Sequence, residues 1–369
     1  MKESDKKEAF AERMTTILNH GALNLAMGIG YRTGLFDAMA SLGRPSTAGE
    51  IAAAANLDER YVREWLGVMF TGEIVELTAK PGEAPAYHLP PEHGAILSEA
   101  GEGPNFGVYT QEIPLLTHCA MEKVTEAFRS GDGVSYDTYP AFQGFMAELA
   151  NAKHREMLVN RFIPSVEEGG LFSLLRAGIR VCDLGCGEGV ALLEMAEAFP
   201  NSRFVGVDVD EAALAVARRH AARSGLSNIE FILRDAAAIK DDPEMAGTFD
   251  YIVALDAIHD QRNPTDALAG IHHMLADDGL FSMVDISAHT DHAGNRDHPM
   301  GPFLYAVSLM HCLPVGKVDG GEGLGMMWGR EKAVAMLRAA GFGEVSVEEI
   351  PEDPFNLHFS CRKSKRSSS

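Results

Sequence analysis

Val181-Cys182-Asp183-Leu184-Gly185-Cys186-Gly187-Glu188-Gly189-Val190 is the stretch that decides the fold. An apolar run of strand type ends in a carboxylate, and Gly185, Gly187 and Gly189 follow before a helical pattern over Val190–Ala198. Glycine at these points lets the backbone turn tightly and approach a ligand without a Cβ in the way. A dinucleotide fingerprint wants G-x-G-x-x-G, and Val190 holds the place of its third glycine, which weakens a nicotinamide reading. Outward from this loop the pattern alternates. Strand Arg180–Asp183 precedes helix Val190–Ala198, strand Arg203–Val207 precedes helix Ala212–Ser224, and strand Ile229–Leu233 leads to Asp235. Strand Tyr251–Leu255, helix Pro264–Leu275 and strand Gly279–Val284 follow, then a long insertion, then helix Glu331–Ala340 and strand Glu344–Glu349. The alternation predicts an α/β domain on a doubly wound, Rossmann-like parallel sheet, its ligand lying beyond the carboxyl ends of the strands.

Three carboxylates stand at those ends. Asp183, two residues before the first glycine, suits an ammonium rather than a pyrophosphate, which favours the amino-acid end of S-adenosylmethionine. Asp208, one βα unit later, is placed to accept both hydroxyls of a ribose, and Asp235, after the third strand, to accept from an adenine amine. The motifs Asp183-Leu184-Gly185-Cys186-Gly187-Glu188-Gly189 and Gly206-Val207-Asp208 resemble the first two of the class I S-adenosylmethionine-dependent methyltransferases, and the resemblance covers roughly residues 178–350. It implies a cofactor site of Asp183, Gly185, Cys186, Gly187, Gly189, Asp208, Val209, Asp235, Ala236 and Asp256.

Upstream, the pattern is helical and then strand-like. Ser46-Thr47 offers an N-cap with Glu50 at capping-box distance, opening a helix over Ala48–Ala55. Asn56-Leu57-Asp58 caps a second helix, Glu59–Phe70, and Glu73–Leu77 and Ala86–Leu89 read as two strands around Pro81-Gly82. Helix, turn, helix and hairpin is the layout of a winged helix. Its second helix carries Asp58, Glu59, Arg60, Arg63 and Glu64, a near-neutral set, and residues 1–95 hold nine basic against thirteen acidic side chains. A DNA-recognition helix calls for a basic face, so dimerisation is the favoured role. The layout is similar to that of plant small-molecule O-methyltransferases. Gly34-Leu35-Phe36-Asp37, Ala257-Ile258-His259-Asp260-Gln261 and Gly323 to Glu331 further resemble uncharacterised methyltransferases often described as transcription regulators. The expected organisation is a winged-helix-like dimerisation domain at 1–97, a helical connector or lid at 98–177, the methyltransferase domain at 178–361 and a disordered basic tail at 362–369.

In the plant-type enzymes a histidine followed by aspartate after the fourth strand is the general base, and His259-Asp260 matches that pair. An imidazole titrates near neutrality and suits the task, although a loop-fixing role for His259 stands beside it. The tryptophan that commonly follows is Gln261 here, which departs from the pattern that holds a planar phenol. Asp285, just after the fifth strand, is the second catalytic candidate. Tyr136 and Phe142 of the connector and Tyr305, His311 and Trp328 of the insertion are candidates to line the acceptor site, with a plain core role as the alternative. The glycine-rich stretch Gly316–Gly329 reads as a lid or as a surface loop with an apolar plug. His118-Cys119 and His311-Cys312 could meet across the pocket as soft-metal or thiol-handling ligands, but their spacing matches no metal-site template; a helix-face core role is favoured and no structural metal is expected.

The whole chain, 369 residues and 46% hydrophobic, is long enough for two compact units. Its net charge of −21 opposes an extended nucleic-acid footprint. Five cysteines without a paired framework fit a reducing cytoplasm, and no signal-like or membrane-spanning apolar run is present. The reading is an S-adenosylmethionine-dependent methyltransferase, homodimeric and cytoplasmic, acting on an O, S or N nucleophile of a small, partly apolar molecule. The alternative is a ligand-sensing winged-helix DNA-binding regulator that retains the cofactor fold.

Overall fold

The computed structural model describes residues 3–101, 105–142, 144–146, 149, 157–350 and 353–364. The chain divides into two compact units, Met1–His118 and Cys119–Ser369, and the division falls inside the helix Glu112–Ser130.

The first unit opens with a helix of 30 residues, Glu3–Arg32. Thr47 and Glu50 form the expected capping box: the Glu50 amide donates to Thr47 Oγ1 at 3.3 Å and the Thr47 amide to Glu50 Oε2 at 2.7 Å. Asp58 caps the helix Glu59–Thr71 by accepting from the amides of Arg60 and Tyr61. Three short antiparallel strands, β1 (Ser46–Thr47), β2 (Glu76–Thr78) and β3 (Ala86–His88), lie in the order β1-β3-β2 and make the wing. β2 starts later than the expected Glu73, which adopts a left-handed φ of 61° in the turn that leaves the helix. The Trp65 indole donates to the Ala26 carbonyl at 2.8 Å, tying the helix Glu59–Thr71 to the long helix.

The second unit is built on a seven-stranded sheet: β4 (Arg180–Leu184), β5 (Arg203–Asp208), β6 (Ile229–Leu233), β7 (Phe249–Leu255), β8 (Leu275–Ile286), β9 (Phe342–Ile350) and β10 (Asp353–Lys363). Their order is β6-β5-β4-β7-β8-β10-β9. Pairings from β6 to β8 are parallel, and β10 runs antiparallel to both of its neighbours. Strand periodicity sends alternate side chains to opposite faces. Ile252 and Ala254 of β7 join one core with Cys182, Val207, Phe281 and Leu357, while Tyr251 and Val253 join the other with Val181, Leu192, Phe204 and Leu280. With helices on both faces, β4 is buried along all but its first residue, as a central parallel strand requires.

Two expectations are corrected here. The tail does not begin at residue 362: Arg362 and Lys363 close β10, and the Arg362 guanidinium donates to Glu167 Oε1 at 2.9 Å. Residues 365–369 lie outside the described ones. Trp328, expected to line the acceptor site, is instead buried in the core of one sheet face as the apolar plug of the insertion, and its carbonyl accepts from the Thr290 hydroxyl at 2.9 Å.

Candidate active site

The glycine loop is shaped by its neighbours. The Gly185 amide donates to the Val207 carbonyl at 2.8 Å, which bends the chain over the end of β5. Gly185 has a φ of 77° and a Cβ there would fall 2.6 Å from that of Ala257, so only glycine fits. Gly187 differs. Its φ is 51° and nothing lies within 4 Å of where a Cβ would project, leaving open space above the loop. Asp208 braces this cradle: its Oδ2 accepts from the Gly187 amide at 2.7 Å and its Oδ1 from the Asp210 amide at 2.9 Å. Burial raises Asp208 above the usual carboxylate range, against the lowering by the Asp210 and Gly187 amides. Asp183, 3% exposed at the end of β4, is pushed up to about 7 by burial and then by the Asp208 charge. Asp235 accepts from the Ala237 amide at 2.9 Å and so caps the short turn of helix that begins at Ala236. Asp256 stands at the end of β7 in a left-handed conformation, φ 51°, with its amide donating to Val284 of β8. Beside it is a small, mostly apolar cavity of about 40 Å³ lined by residues that include Leu158, Phe162, Leu255 and Val284.

Next to the glycine loop, the ends of β7 and β8 bring a second group together. His259 Nδ1 lies 2.7 Å from Asp285 Oδ1, which also accepts from the Ile286 amide at 2.8 Å. Both side chains are buried, His259 at 3% and Asp285 at 1% exposure. Burial by itself pulls His259 down, but attraction to Asp285 and then Asp260, with hydrogen bonding to Asp285, raises it well above the usual imidazole range. The proton on Nδ1 is therefore committed to Asp285, and Nε2 faces Asp260 Oδ1 at 3.6 Å. Asp260 also faces a second histidine, His311, whose Nδ1 is 3.8 Å from Oδ2. Burial lowers His311 against the pull of Asp260, so this ring is neutral. Three rings pack around it, Phe142 at 4.7 Å, Tyr139 at 4.9 Å and Tyr136 at 5.8 Å between centroids. His311 Nε2 is buried without a hydrogen-bond partner among the described residues.

Residues 175–306 match the family model of a methyltransferase domain, and residues 21–99 match that of an Rv2258c-like winged helix-turn-helix domain. With the strand order and glycine loop described above, those matches identify residues 175–306 as a methyltransferase domain and residues 21–99 as a winged helix-turn-helix domain. A ubiquinone biosynthesis O-methyltransferase of Pseudomonas aeruginosa is 33% identical over 111 residues, 30% of this chain and 46% of that one. An uncharacterised protein of Rickettsia prowazekii is 31% identical over 125 residues, 33% of this chain and 19% of its own length. The chain thus spans less than half the length of these curated relatives. Among solved structures, human N-acetylserotonin methyltransferase in complex with S-adenosylmethionine aligns over 96% of this chain and 98% of its own, with a TM-score of 0.63 at 18% identity. An O-methyltransferase family protein from Burkholderia thailandensis aligns over 97% and 98%, with a TM-score of 0.65 at 16% identity. At such identity the likeness speaks for the fold.

Within this methyltransferase domain the residues singled out from sequence separate into three places. Asp183, Gly185, Cys186, Gly187, Gly189, Asp208 and Val209 lie at or next to the ends of β4 and β5, and Asp235, Ala236 and Asp256 follow β6 and β7. His259, Asp285, His311, Phe142 and Tyr136 belong to the second group. Tyr305 does not join it. Its hydroxyl accepts from Asn295 Nδ2 at 2.9 Å and its ring packs on His292, within the insertion. Trp328 is likewise core, for an indole is large enough to anchor the insertion and is used for that. Tyr139, a further aromatic residue of the connector, and Cys312, from the pair His311-Cys312, also reach the second group. Tyr139 has helical spacing to Phe142 and shares its ring contact with His311, a signal that was available. The pair His311-Cys312 stood out in the sequence, but Cys312 meets His259 only because the insertion returns to the end of β7.

Proposed function

We propose that the chain transfers a methyl group from S-adenosylmethionine to an oxygen, sulfur or nitrogen of a small, partly apolar molecule, with His259 as the base. The observation that carries the reading is the buried His259–Asp285 pair, 2.7 Å apart, beside an open glycine cradle with Asp183 and Asp208. The cradle fits the cofactor: Gly187 leaves room for a ligand, Asp183 suits an ammonium, and Asp208, held by backbone amides at the end of β5, is a carboxylate acceptor suited to ribose hydroxyls. When bound, S-adenosylmethionine supplies an electrophilic methyl on a positively charged sulfur. Once neutral, His259 takes at Nε2 the proton that the acceptor loses, and Asp285 holds the ring in that tautomer and stabilises the imidazolium that forms. Tyr136 and Phe142, with His311, form an aromatic wall that would hold an acceptor in attack geometry, where most of the rate advantage of such a displacement lies.

A DNA-binding role is the rival reading, and it is favoured only by the winged helix-turn-helix match. Against it, both arginines of the helix Glu59–Thr71 are engaged by glutamates of the same helix, Arg60 with Glu64 at 2.6 Å and Arg63 with Glu59 at 2.5 Å. Phosphate contact would have to break those pairs. The unit is better suited to pairing two copies, since the long first helix leaves Phe10, Ile17, Leu18, Leu25 and Ile29 exposed. Five free cysteines support a reducing compartment. The test is a screen of small hydroxyl, thiol and amine compounds for S-adenosylhomocysteine release, joined to calorimetry of both cofactor forms. We expect one cofactor per chain, and Asp208→Ala to weaken it by roughly 100-fold through the lost ribose contacts, each charge-assisted bond being worth about 1.5–3 kcal/mol. Tight NADH binding with none of the methyl donor would overturn the proposal.

A further inference from the structure

His259, Asp260 and Cys312 each offer one ligand atom, a ring nitrogen, a carboxylate oxygen and the thiol sulfur, and these atoms lie within 4.8 Å of one another. His259 and Asp260 come from the segment after β7, and Cys312 from the insertion. His259 Nε2 and Asp260 Oδ1 are 3.6 Å apart, too far for a hydrogen bond. That spacing is close to the ~3.3–3.6 Å that separates nitrogen, oxygen or sulfur ligands on one tetrahedral zinc ion. Asp260 Oδ1 is buried and has no hydrogen-bond partner among the described residues. The histidine is also oriented as metal-bound histidines are: its other nitrogen donates to a carboxylate, Asp285, which fixes the ring and turns Nε2 toward the group. His311, with Nδ1 3.7 Å from Cys312 Sγ and 3.8 Å from Asp260 Oδ2, closes the far side.

We infer that His259, Asp260 and Cys312 form a binding site for one thiophilic divalent cation of the zinc type. Binding exchanges the Cys312 S–H bond and the His259 Nε2–H bond for bonds to the metal and releases both protons to solvent, with no change of oxidation state. Three ligands leave a fourth position for water or for an acceptor thiolate. The cation takes the same Nε2 lone pair that acceptor deprotonation needs, so an oxygen or nitrogen acceptor is methylated only by the metal-free form. That last consequence rests on the methyl-transfer reading above, whereas the site itself does not.

The experiment is a titration of the chelator-treated full chain with Co²⁺, then Zn²⁺. The expected result is one Co²⁺ per chain, with a thiolate-to-cobalt charge-transfer band in the near ultraviolet that Zn²⁺ abolishes. Cys312→Ser should remove the band and weaken Zn²⁺ binding by roughly 100-fold, since loss of one anionic ligand removes much of a site's affinity. Cys119→Ser should leave both as they are. Asp260→Asn, nearly isosteric, should keep the band while weakening cobalt binding, and it serves if Cys312→Ser does not fold. A wild-type chain without the band, or a band that survives Cys312→Ser, overturns the site. Cofactor calorimetry on the same samples separates the two readings: S-adenosylhomocysteine binding without the cobalt band sinks only the metal site, and the band without cofactor binding sinks only the methyltransferase reading.

Discussion

Two side chains carry most of the chemistry at the residue scale, and they respond to opposite tests. His259 acts on the acceptor, so His259→Ala should lower kcat by about 10²–10⁴-fold and leave cofactor affinity nearly unchanged. His259→Gln keeps a hydrogen bond to Asp285 but takes no proton, and should be almost as slow in steady-state kinetics on a confirmed acceptor. Near-normal kcat in both variants would remove His259 as the base and leave positioning as the main device. Asp183 acts on the cofactor. Its carboxyl is raised from 3.8 to about 7, by burial first and by Asp208 second. A raised acid contributes stability below its unfolded value, and that contribution is lost as pH rises through the folded one, so the ligand-free protein gives it up between about pH 4 and pH 7. An ammonium ligand needs the ionised form. Cofactor affinity should therefore fall as pH drops below about 7, approaching tenfold per pH unit, and calorimetry from pH 5.5 to 8.5 reads it. An affinity flat across that range would show that Asp183 does not meet the ammonium.

Among the elements, β10 is the one whose importance the pattern of the chain least suggests. It lies between β8 and β9, pairing Leu357 to Asp285 on one side and to Glu349 on the other. Leu357, Phe359 and Cys361 reach one sheet core, so the strand supplies both ladder and packing. Removing residues 353–364 would expose the edges of two strands together with that core. Expression of such a truncation should give insoluble protein, as unpaired apolar edges do. Recovery of a soluble monomer with native circular dichroism would contradict the interior placement. The element was hard to see because Asp353-Pro354, Asn356 and His358 interrupt any clean alternation, yet Asn356 and His358 are buried, His358 bonding Ser282 of β8 at 2.8 Å and the Asn356 Nδ2 donating to Asp353 at 3.0 Å.

At the scale of the whole molecule, the apolar stripe of the first helix is the feature that asks for a partner. Phe10, Met14, Ile17, Leu18, Leu25 and Ile29 recur at spacings of three, four and seven along Glu3–Arg32 and are all exposed. A stripe of this kind on a helix is the seam of a helical pairing. A second copy of the chain is the proposed occupant, and light scattering at micromolar concentration should give a dimer mass. Leu18→Asp with Ile29→Asp should convert it to a monomer with unchanged circular dichroism, because neither residue is buried within its own unit. Wild-type protein that is already monomeric would end the dimer proposal. No helix among the described residues is long and apolar enough to cross a membrane.

How much of this was legible beforehand follows from the range of the forces involved. The glycine loop, the carboxylates after β4, β5 and β6 and the parallel order depend on local rules: strand periodicity, glycine where φ is positive, and ligands at carboxyl ends. Those rules operate within a few residues, so Asp183, Gly187 and Asp208 could be read from spacing, as could the capping box of Thr47 and Glu50. His259 and Asp285 could be named as candidates from their places after consecutive strands, but their 2.7 Å contact is a product of the β7–β8 register. Contacts between distant segments were beyond reach. The insertion could equally have laid Tyr305 or Trp328 against the acceptor; which ring faces inward was decided by core volume, and the volume took Trp328. The meeting of Cys312 with His259 and Asp260, and the closing of the sheet by β10, arise only when chain segments far apart in sequence are packed to density, since neither has a spacing of its own to announce it.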